Sequence, residues 1–365
     1  MDSVLVVVVV LVALGFDFTN GFHDTANAVA TSVSTRALTP RMAVLVASLA
    51  NLAGAFVTTA VAKTVGKDVV DSGLINTRTV LAALLGAIVW NLLTWWFGLP
   101  TSSSHALIGG FAGAGVAKAG FAVLAADSIR KTILFIVLSP LFGLLLAFLL
   151  MVAATWLFHR SAPRRVDGIF RRLQLVSAAA FSLGHGGNDA QKTMGIIAAL
   201  LVGAGYLHTK PGGDLPVPLW IVLAAHAAIA GGTLVGGWRI VKTLGTRITA
   251  LKPIGGFSAE TAAATSIYLA TFLGVPVSTT HTITGAVVGA GSTRRLSAVR
   301  WGVARRIVWA WILTIPAAGL TAAVAYRLVT APAPVVATVV VAALITAGAL
   351  AERRRSRRPH VQAGT

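Results

Sequence analysis

The chain has 365 residues, of which 56% are hydrophobic and only 11% are charged, and its mean hydropathy is +0.82. Soluble proteins carry about 25% charged residues, so this composition excludes an ordinary soluble protein and indicates a chain that a lipid bilayer solvates. The net charge of +19 comes from basic residues between apolar runs, which favours membrane topology signals over nucleic-acid binding, and the absence of cysteine excludes disulfides and thiol catalysis.

Apolar runs that are suited to membrane helices follow one another along the chain. Seven are continuous, at 4–15, 41–62, 79–97, 132–158, 217–241, 301–328 and 333–350. Four more are apolar but interrupted by Gly, Ser, Thr or Pro, at 16–34, 98–117, 174–206 and 258–291. Broken helices are tolerated in a membrane only where the freed backbone faces protein or a water-filled cavity. We therefore expect breaks and functional residues in these four segments.

The chain repeats itself. Residues 98–115, GLPTSSSHALIGGFAGAG, match residues 274–291, GVPVSTTHTITGAVVGAG, at a constant offset of 176, and eight of these 18 positions are identical. Residues 20–24, NGFHD, and 185–189, HGGND, form a second pair at an offset of 165. Transporters built from two inverted repeats place their substrate site at the repeat interface near the middle of the bilayer.

These patterns predict an all-α, multi-pass protein of the cell membrane, with two inverted-topology repeats, broken helices and two re-entrant hairpins. The predicted parts, in chain order, are a first transmembrane repeat at 1–158, a basic cytoplasmic loop at 159–173, a second transmembrane repeat at 174–328, one extra C-terminal helix at 333–350 and a basic cytoplasmic tail at 351–365.

Four acidic residues lie inside the interrupted apolar segments, Asp17, Asp24, Asp189 and Glu260. The repeated motif carries two of them, Asp24 in the first half and Asp189 in the second. A charge near the centre of a bilayer costs at least about 2.5–3.5 kcal/mol on insertion scales, which makes a functional role the default interpretation. The alternative is a structural ion pair. Lys192, three residues after Asp189, is a candidate partner there, whereas Asp24 has no basic neighbour.

Hydroxyl clusters follow a Gly-x-Pro in both halves and precede a glycine-rich apolar run. Proline suits the start of a helix, and Ser and Thr are good N-caps, so each cluster is predicted to begin a half-helix at a hairpin tip. A helix N-terminus suits an oxyanion, and two facing tips would hold a tetrahedral one. The alternative is hydroxyls that bond to their own helix. The predicted anion donors are Ser102, Ser103, Ser104, Ser278, Thr279 and Thr280.

Both clusters are followed directly by a histidine, His105 and His281. Histidine titrates near neutral pH, so the pair could carry protons, or each ring could make a fixed hydrogen bond within its hairpin. No acidic residue lies at ligand spacing beside either ring, so we expect no metal site.

The segments NGFHDTANAVATSVSTRALTP and SLGHGGNDAQKTMGIIAAL resemble the G-A-N-D-x-A-N signature that the inorganic phosphate transporter (PiT) family carries in both halves. GLPTSSSH and GVPVSTTH resemble its paired hairpin motifs, and Gln191-Lys192 in the second signature resembles the bacterial, low-affinity members. The resemblance implies a homodimeric phosphate symporter coupled to protons or sodium, without a cofactor. It assigns Asp24, Asp189 and Asn20 to cation coupling, and Asn27 and Asn188 to phosphate binding.

Several positions depart from the family pattern. His23 stands where the first motif usually has Asn, Gln191-Lys192 replaces Ala-Asn in the second, and Asn51 stands where some sodium-coupled members carry Glu. These changes leave proton and sodium coupling open. The candidate modulators of the site are three of these positions together with both hairpin histidines and one glutamate: His23, Lys192, Asn51, His105, His281 and Glu260.

Five interpretations of the function remain open. Phosphate carries about one to two negative charges at neutral pH, so the aspartates would repel it unless cations or protons accompany it. The substrate could be free phosphate, a metal–phosphate complex or another tetrahedral oxyanion such as sulfate. An anion channel is a further alternative. A more remote one is an intramembrane aspartyl protease that uses Asp24 and Asp189 as a pair, which would leave the duplicated hydroxyls without a role.

Overall fold

A computed structural model of the chain describes residues 3–71, 76–124, 126–209, 215–293 and 295–332, and in these ranges all regular structure is helical. The α-helices there are α1 (Ser3–Ser34), α2 (Pro40–Ala53), α3 (Ala60–Asp71), α4 (Thr77–Phe97), α5 (Ser103–Ala119), α6 (Ala126–Leu157), α7 (Pro163–Gly203), α8 (Leu219–Val235), α9 (Trp238–Lys242), α10 (Pro253–Phe272), α11 (Thr279–Ser292) and α12 (Trp301–Thr330). The predicted helix at 333–350 and tail at 351–365 lie outside the described residues.

Several of these helices can cross a membrane. Within the described residues, α1, α4, α6 and α12 are each long and apolar enough, and two bent helix pairs raise the number to six. Large apolar side chains such as Leu145 and Leu149 of α6 point away from the protein, where lipid would cover them. These features confirm the predicted all-α, multi-pass architecture.

Helix breaks lie where they were predicted in 98–117 and 258–291, but not in the other two segments. The segments around the two aspartates were expected to be interrupted, yet α1 and α7 are continuous. The runs at 41–62 and 217–241, predicted as uninterrupted, are instead the bent ones: α2 and α3 meet at 74°, and α8 and α9 at 62°.

Close helix packing explains why the motif glycines do not break α1 and α7. A Cβ on Gly21 would lie 2.0 Å from the carbonyl oxygen of Ile229 on α8, and one on Gly186 would lie 2.4 Å from that of Asn51 on α2. Each glycine therefore lets a neighbouring backbone approach while its own helix stays intact. In this way α1 of the first half packs on α8 of the second, and α7 of the second half packs on α2 of the first.

The two halves are also joined through their hairpins. The first hairpin consists of α4 and α5 and the second of α10 and α11, as the repeat predicted, and left-handed glycines, Gly98 (φ 66°) and Gly274 (φ 69°), follow α4 and α10. The hairpin helix α5 packs against α12 of the other half, and α11 packs against α6. Each half thus completes the surroundings of the other half's hairpin.

The first helices of the two halves run antiparallel. Thr193 of α7 contacts Asp17 in the middle of α1, whereas Gln174, nineteen residues earlier on α7, contacts Thr35 just after the end of α1. Equivalent helices that run in opposite directions are what an inverted repeat requires. The inverted topology stays a prediction, and the antiparallel pairing supports it.

The predicted basic loop at 159–173 is mostly helical. After a short turn, α7 begins at Pro163 and continues through the basic residues without interruption. Proline favours the first position of a helix because its fixed φ suits the helix and its missing N–H would have had no intrahelical partner there. The loop is therefore limited to the turn that precedes Pro163.

Candidate functional site

Each hydroxyl cluster lies at the start of a helix, as predicted. The Ser102 side chain accepts a hydrogen bond from the backbone N–H of His105 at 3.2 Å, and Ser278 accepts one from His281 at the same distance. Both serines are N-caps with extended backbone. Because the first turn of a helix leaves backbone N–H groups without intrahelical partners, each hairpin tip can receive an anion.

A buried polar stripe runs along α1. Residues three and four positions apart lie on one helix face, and on α1 that face carries Asp17, Asn20, Asp24, Asn27 and Thr31. The opposing stripe on α7 consists of Gln174, Ser177, His185, Asn188 and Lys192. Both stripes are buried within the protein, and His185 of the second lies beside Asp24 of the first.

The two motif aspartates meet at one histidine. The Nε2 atom of His185 lies 3.2 Å from Asp189 Oδ2 and 3.8 Å from Asp24 Oδ2. All three side chains are buried. The structure therefore brings together the acidic residue of each repeat, as the duplicated motif predicted, with an imidazole between them.

The first-half aspartate has further polar support. Asp24 Oδ1 lies 2.8 Å from Nδ1 of His23, and Nε2 of His23 lies 3.1 Å from the hydroxyl of Thr94 on α4. Thr94 in turn accepts a hydrogen bond from Thr101 at the tip of the first hairpin, at 3.0 Å. His23 therefore links Asp24 to the tip region of the first hairpin.

Hydroxyls at the start of α11 contact both aspartates. Thr279 donates to Asp189 Oδ2 at 3.1 Å, and Thr280 donates to Asp24 Oδ2 at 3.4 Å. The amide of Asn27 donates to Thr280 at 2.8 Å. One hairpin tip thus faces the acidic residues of both halves.

Lys192 connects α7 to the first hairpin. Its buried ammonium pairs with Asp189 Oδ1 and donates to the hydroxyl of Ser104 at 2.6 Å. The structural ion pair that the sequence offered for Asp189 is therefore present. The neighbouring hydroxyl of Ser103 is buried without a hydrogen-bond partner.

The predicted asparagines do not all face this cluster. Asn188, predicted to bind phosphate, donates instead to Thr271 of α10 at 2.8 Å. The Oδ1 atom of Asn20 is buried without a partner. Asn51 contacts Nδ1 of His185 at 3.1 Å, so it orients the central imidazole from α2.

Glu260 belongs to a separate polar cluster. Its carboxyl group contacts Thr31 at 2.5 Å, Gln174 at 3.2 Å and the hydroxyl of Ser177. Thr31 lies seven residues after Asp24 on α1, which is about 10 Å along a helix axis. The structure thus places Glu260 about two helical turns from the aspartate cluster.

The two hairpin histidines contact each other. The ring centroids of His105 and His281 lie 4.6 Å apart, and His281 stacks on Trp311 of α12 at 3.8 Å. The observed contacts of both rings are with aromatic neighbours, and the aspartates are not among them. This packing favours the structural role for the pair over the proton-carrying one.

His185 was not predicted as a site residue. It lies four residues before Asp189 on the same helix face, and its counterpart at the offset of 165 is Asn20, which was predicted as a site residue. The spacing within HGGND and the pairing of HGGND with NGFHD could both have identified it.

A cation could be held at the centre of the cluster. The ligand atoms of Asp24, His185 and Asp189 lie within 4.8 Å of one another. Carboxylate oxygens suit Na⁺ and other hard cations, and the added imidazole also suits transition metals. The sequence predicted no metal site, and among the described residues this trio has the arrangement for one.

Known proteins of similar sequence and structure are phosphate transporters. A family model described as "Phosphate transporter family" matches residues 20–322. A protein of Rhizobium meliloti described as "Probable low-affinity inorganic phosphate transporter" is 55% identical over 323 residues, covering 88% of this chain and 96% of the relative. A Bacillus subtilis protein of the same description is 46% identical over 325 residues, with the same two coverages.

A solved structure has a similar fold. It is described as "The sodium-dependent phosphate transporter" and superposes with a TM-score of 0.79 at 25% sequence identity. The match covers 88% of this chain and 98% of the solved one. The similarity therefore extends over both repeats rather than over one motif.

Proposed function

The chain belongs to the phosphate transporter family and is a multi-pass protein of the cell membrane rather than an enzyme; on that premise we propose that it carries inorganic phosphate by cation-coupled symport. The observation that carries the proposal is the meeting of Asp24 and Asp189 at His185, beside the hydroxyls that begin α11. The protease alternative is set aside because the relatives are named transporters.

Charge supports coupling at this site. Two buried carboxylates would repel phosphate, and burying an unpaired charge is strongly unfavourable. Lys192 offsets one carboxylate, so a second cation, either a proton or a sodium ion, is needed beside Asp24 when the anion binds. Movement of the hairpins around the fixed site would then give access to alternate sides of the membrane.

Uptake by proteoliposomes tests the proposal. We expect labelled phosphate to accumulate against its gradient when a proton or sodium gradient is imposed, and to stop accumulating when both gradients are collapsed. Arsenate should compete, and sulfate should compete weakly, because carboxylate acceptors favour an anion that can be protonated. Equal competition by sulfate would support a general oxyanion carrier, and flux that never exceeds the gradient would indicate a channel.

A second candidate substrate is a divalent metal–phosphate complex. The observation that favours it is the trio of Asp24, His185 and Asp189, whose ligand atoms lie close enough for one metal ion. Uptake would then require Mg²⁺, Mn²⁺ or Zn²⁺, and labelled metal would enter with labelled phosphate. Undiminished phosphate uptake in the presence of a chelator would argue against this candidate.

The hydroxyl of Thr280 offers a test of phosphate binding. We expect Thr280→Ala to raise the KM for phosphate roughly 10- to 100-fold, because a hydrogen bond to a charged group is worth about 1.5–3 kcal/mol. Thr280→Ser should stay near the wild type. The matched control is Thr284→Ala, one turn further along α11, whose buried hydroxyl has no hydrogen-bond partner. Equal KM values for Thr280→Ala and Thr284→Ala would show that the Thr280 hydroxyl does not bind phosphate.

A further inference from the structure

The ammonium group of Lys192 contacts three oxygen atoms within the described part of the chain. Its partners are the carboxylate of Asp189, the hydroxyl of Ser104 at 2.6 Å and the backbone carbonyl of Val277 at 3.1 Å. Carboxylate, hydroxyl and carbonyl oxygens are the ligands that hard metal cations take, and carbonyls next to broken helices bind coupling ions in transporters. Lys192 is 3% exposed. The charged end of the side chain thus occupies a position with the ligands of a cation site.

The first half carries a neutral residue at the corresponding position. The offset of 165 that relates the aspartates also relates Lys192 to Asn27. Asn27 donates to Thr280 at 2.8 Å, as Lys192 donates to Ser104, and those two hydroxyls correspond at the offset of 176. The two halves therefore make the same contact between helix and hairpin, and only the second half makes it with a permanent positive charge.

The aspartates differ accordingly. Asp189 has an ammonium on one oxygen and His185 beside the other. Among the described residues, the side-chain partners of Asp24 are histidines and a hydroxyl, and a histidine is charged only when it is protonated. The charge of Asp24 can therefore be balanced by a cation that enters and leaves, whereas that of Asp189 is balanced by a group that stays attached to the chain.

We propose that the Lys192 ammonium replaces one coupling sodium ion, so that exchangeable sodium binding is confined to the Asp24 half of the site. The proposal rests on the symport function proposed above and specifies its stoichiometry. A tethered cation cannot cross the membrane, so each phosphate moves with one cation fewer than it would if residue 192 were neutral. A simple structural ion pair between Lys192 and Asp189 would have no such effect.

The variant Lys192→Asn gives the second half the residue of the first. We expect the thermal midpoint of purified Lys192→Asn to rise with sodium by about 2–4 °C more than that of the matched control Lys242→Asn, when sodium replaces choline without phosphate. Lys242 is exposed. Lys192→Arg keeps the charge and should behave like the control. Equal sodium shifts in Lys192→Asn and Lys242→Asn would overturn the proposal.

Recovery of the variant protein gives a second readout. If Lys192→Asn is unstable, we expect sodium-containing buffer to yield folded protein where choline buffer does not, because sodium would restore the missing charge. Failure to recover folded protein in either buffer counts against the proposal, because sodium bound to the oxygen ligands of the lost ammonium should restore the stability.

Transport then measures the stoichiometry directly. In proteoliposomes the number of cations moved per phosphate, obtained from reversal potentials, should rise by one in Lys192→Asn. An unchanged ratio contradicts the inference. Absence of phosphate transport in the wild type would contradict the proposed function instead, and the sodium shift in thermal midpoint, which needs no phosphate, would still decide the role of Lys192.

Discussion

Asp24→Asn and Asp189→Asn are each expected to reduce driven phosphate uptake at least about 100-fold. Asparagine keeps the size of the side chain but removes the charge that faces His185. Removal of one partner from a buried charge pair costs about 3–5 kcal/mol. Every 1.4 kcal/mol is a factor of ten in an equilibrium constant. Initial rates of labelled phosphate uptake in proteoliposomes measure the loss.

The two variants should differ in stability. Asp189→Asn leaves the Lys192 ammonium without its carboxylate, so its thermal midpoint should fall further than that of Asp24→Asn, whose neighbours His23 and His185 carry no permanent charge. Asp167→Asn, on the same helix as Asp189 but outside the cluster, serves as the control and should transport normally. Wild-type uptake in both site variants would refute the role assigned to the aspartates.

Gly113→Ala is expected to destabilise the protein by about 3 kcal/mol or more. A Cβ at this position of α5 would lie 1.9 Å from the carbonyl oxygen of Gly319 on α12, so one of the two helix backbones must move. Overpacking of this kind costs about 1–3 kcal/mol when side chains can adjust, and more when they cannot. The thermal midpoint in detergent and the monodisperse fraction measure the effect.

The repeat supplies an independent replicate and a control. Gly289→Ala on α11 should be equally harmful, since its Cβ would lie 2.1 Å from the carbonyl oxygen of Leu144 on α6. Gly302→Ala on α12 has no atom within 4 Å of the added Cβ and should be neutral or slightly stabilising. A thermal midpoint of Gly113→Ala at or above that of Gly302→Ala would show that the two helices do not need this close contact.

Local rules predicted the hairpin tips correctly. A proline followed by hydroxyl residues begins a helix by its own geometry, so both hydroxyl clusters were predicted to start helices without knowledge of any contact, and the caps are Ser102 and Ser278. The convergence of Asp24 and Asp189 also followed from the sequence, because a repeated motif in two related halves implies a shared interface. Binding roles for these residues, the inverted topology and the homodimer stay predictions.

The helix breaks could not be predicted in the same way. Whether a glycine interrupts a helix or admits a neighbour depends on the segment that packs on it, and Ile229 is more than 200 residues from Gly21. One of the two real bends has the signal Gly236-Gly237, but the other, at Val57-Thr58-Thr59, contains neither glycine nor proline. The direction of the Asn188 amide likewise depends on Thr271 of α10, which lies outside the motif.

The packing of each hairpin against the last helix of the other half bears on how the chain is synthesised. About 180 residues separate the end of α5 from the start of α12, which is roughly 10–40 s of translation at 5–20 residues per second. During that interval the side of α5 that carries Gly109 and Gly113 lacks its partner α12, although Gly110 can already pack against Ala83 of α4. We therefore expect the first half, expressed alone, to be degraded, and the two halves to form a stable carrier only when they are produced together in one cell.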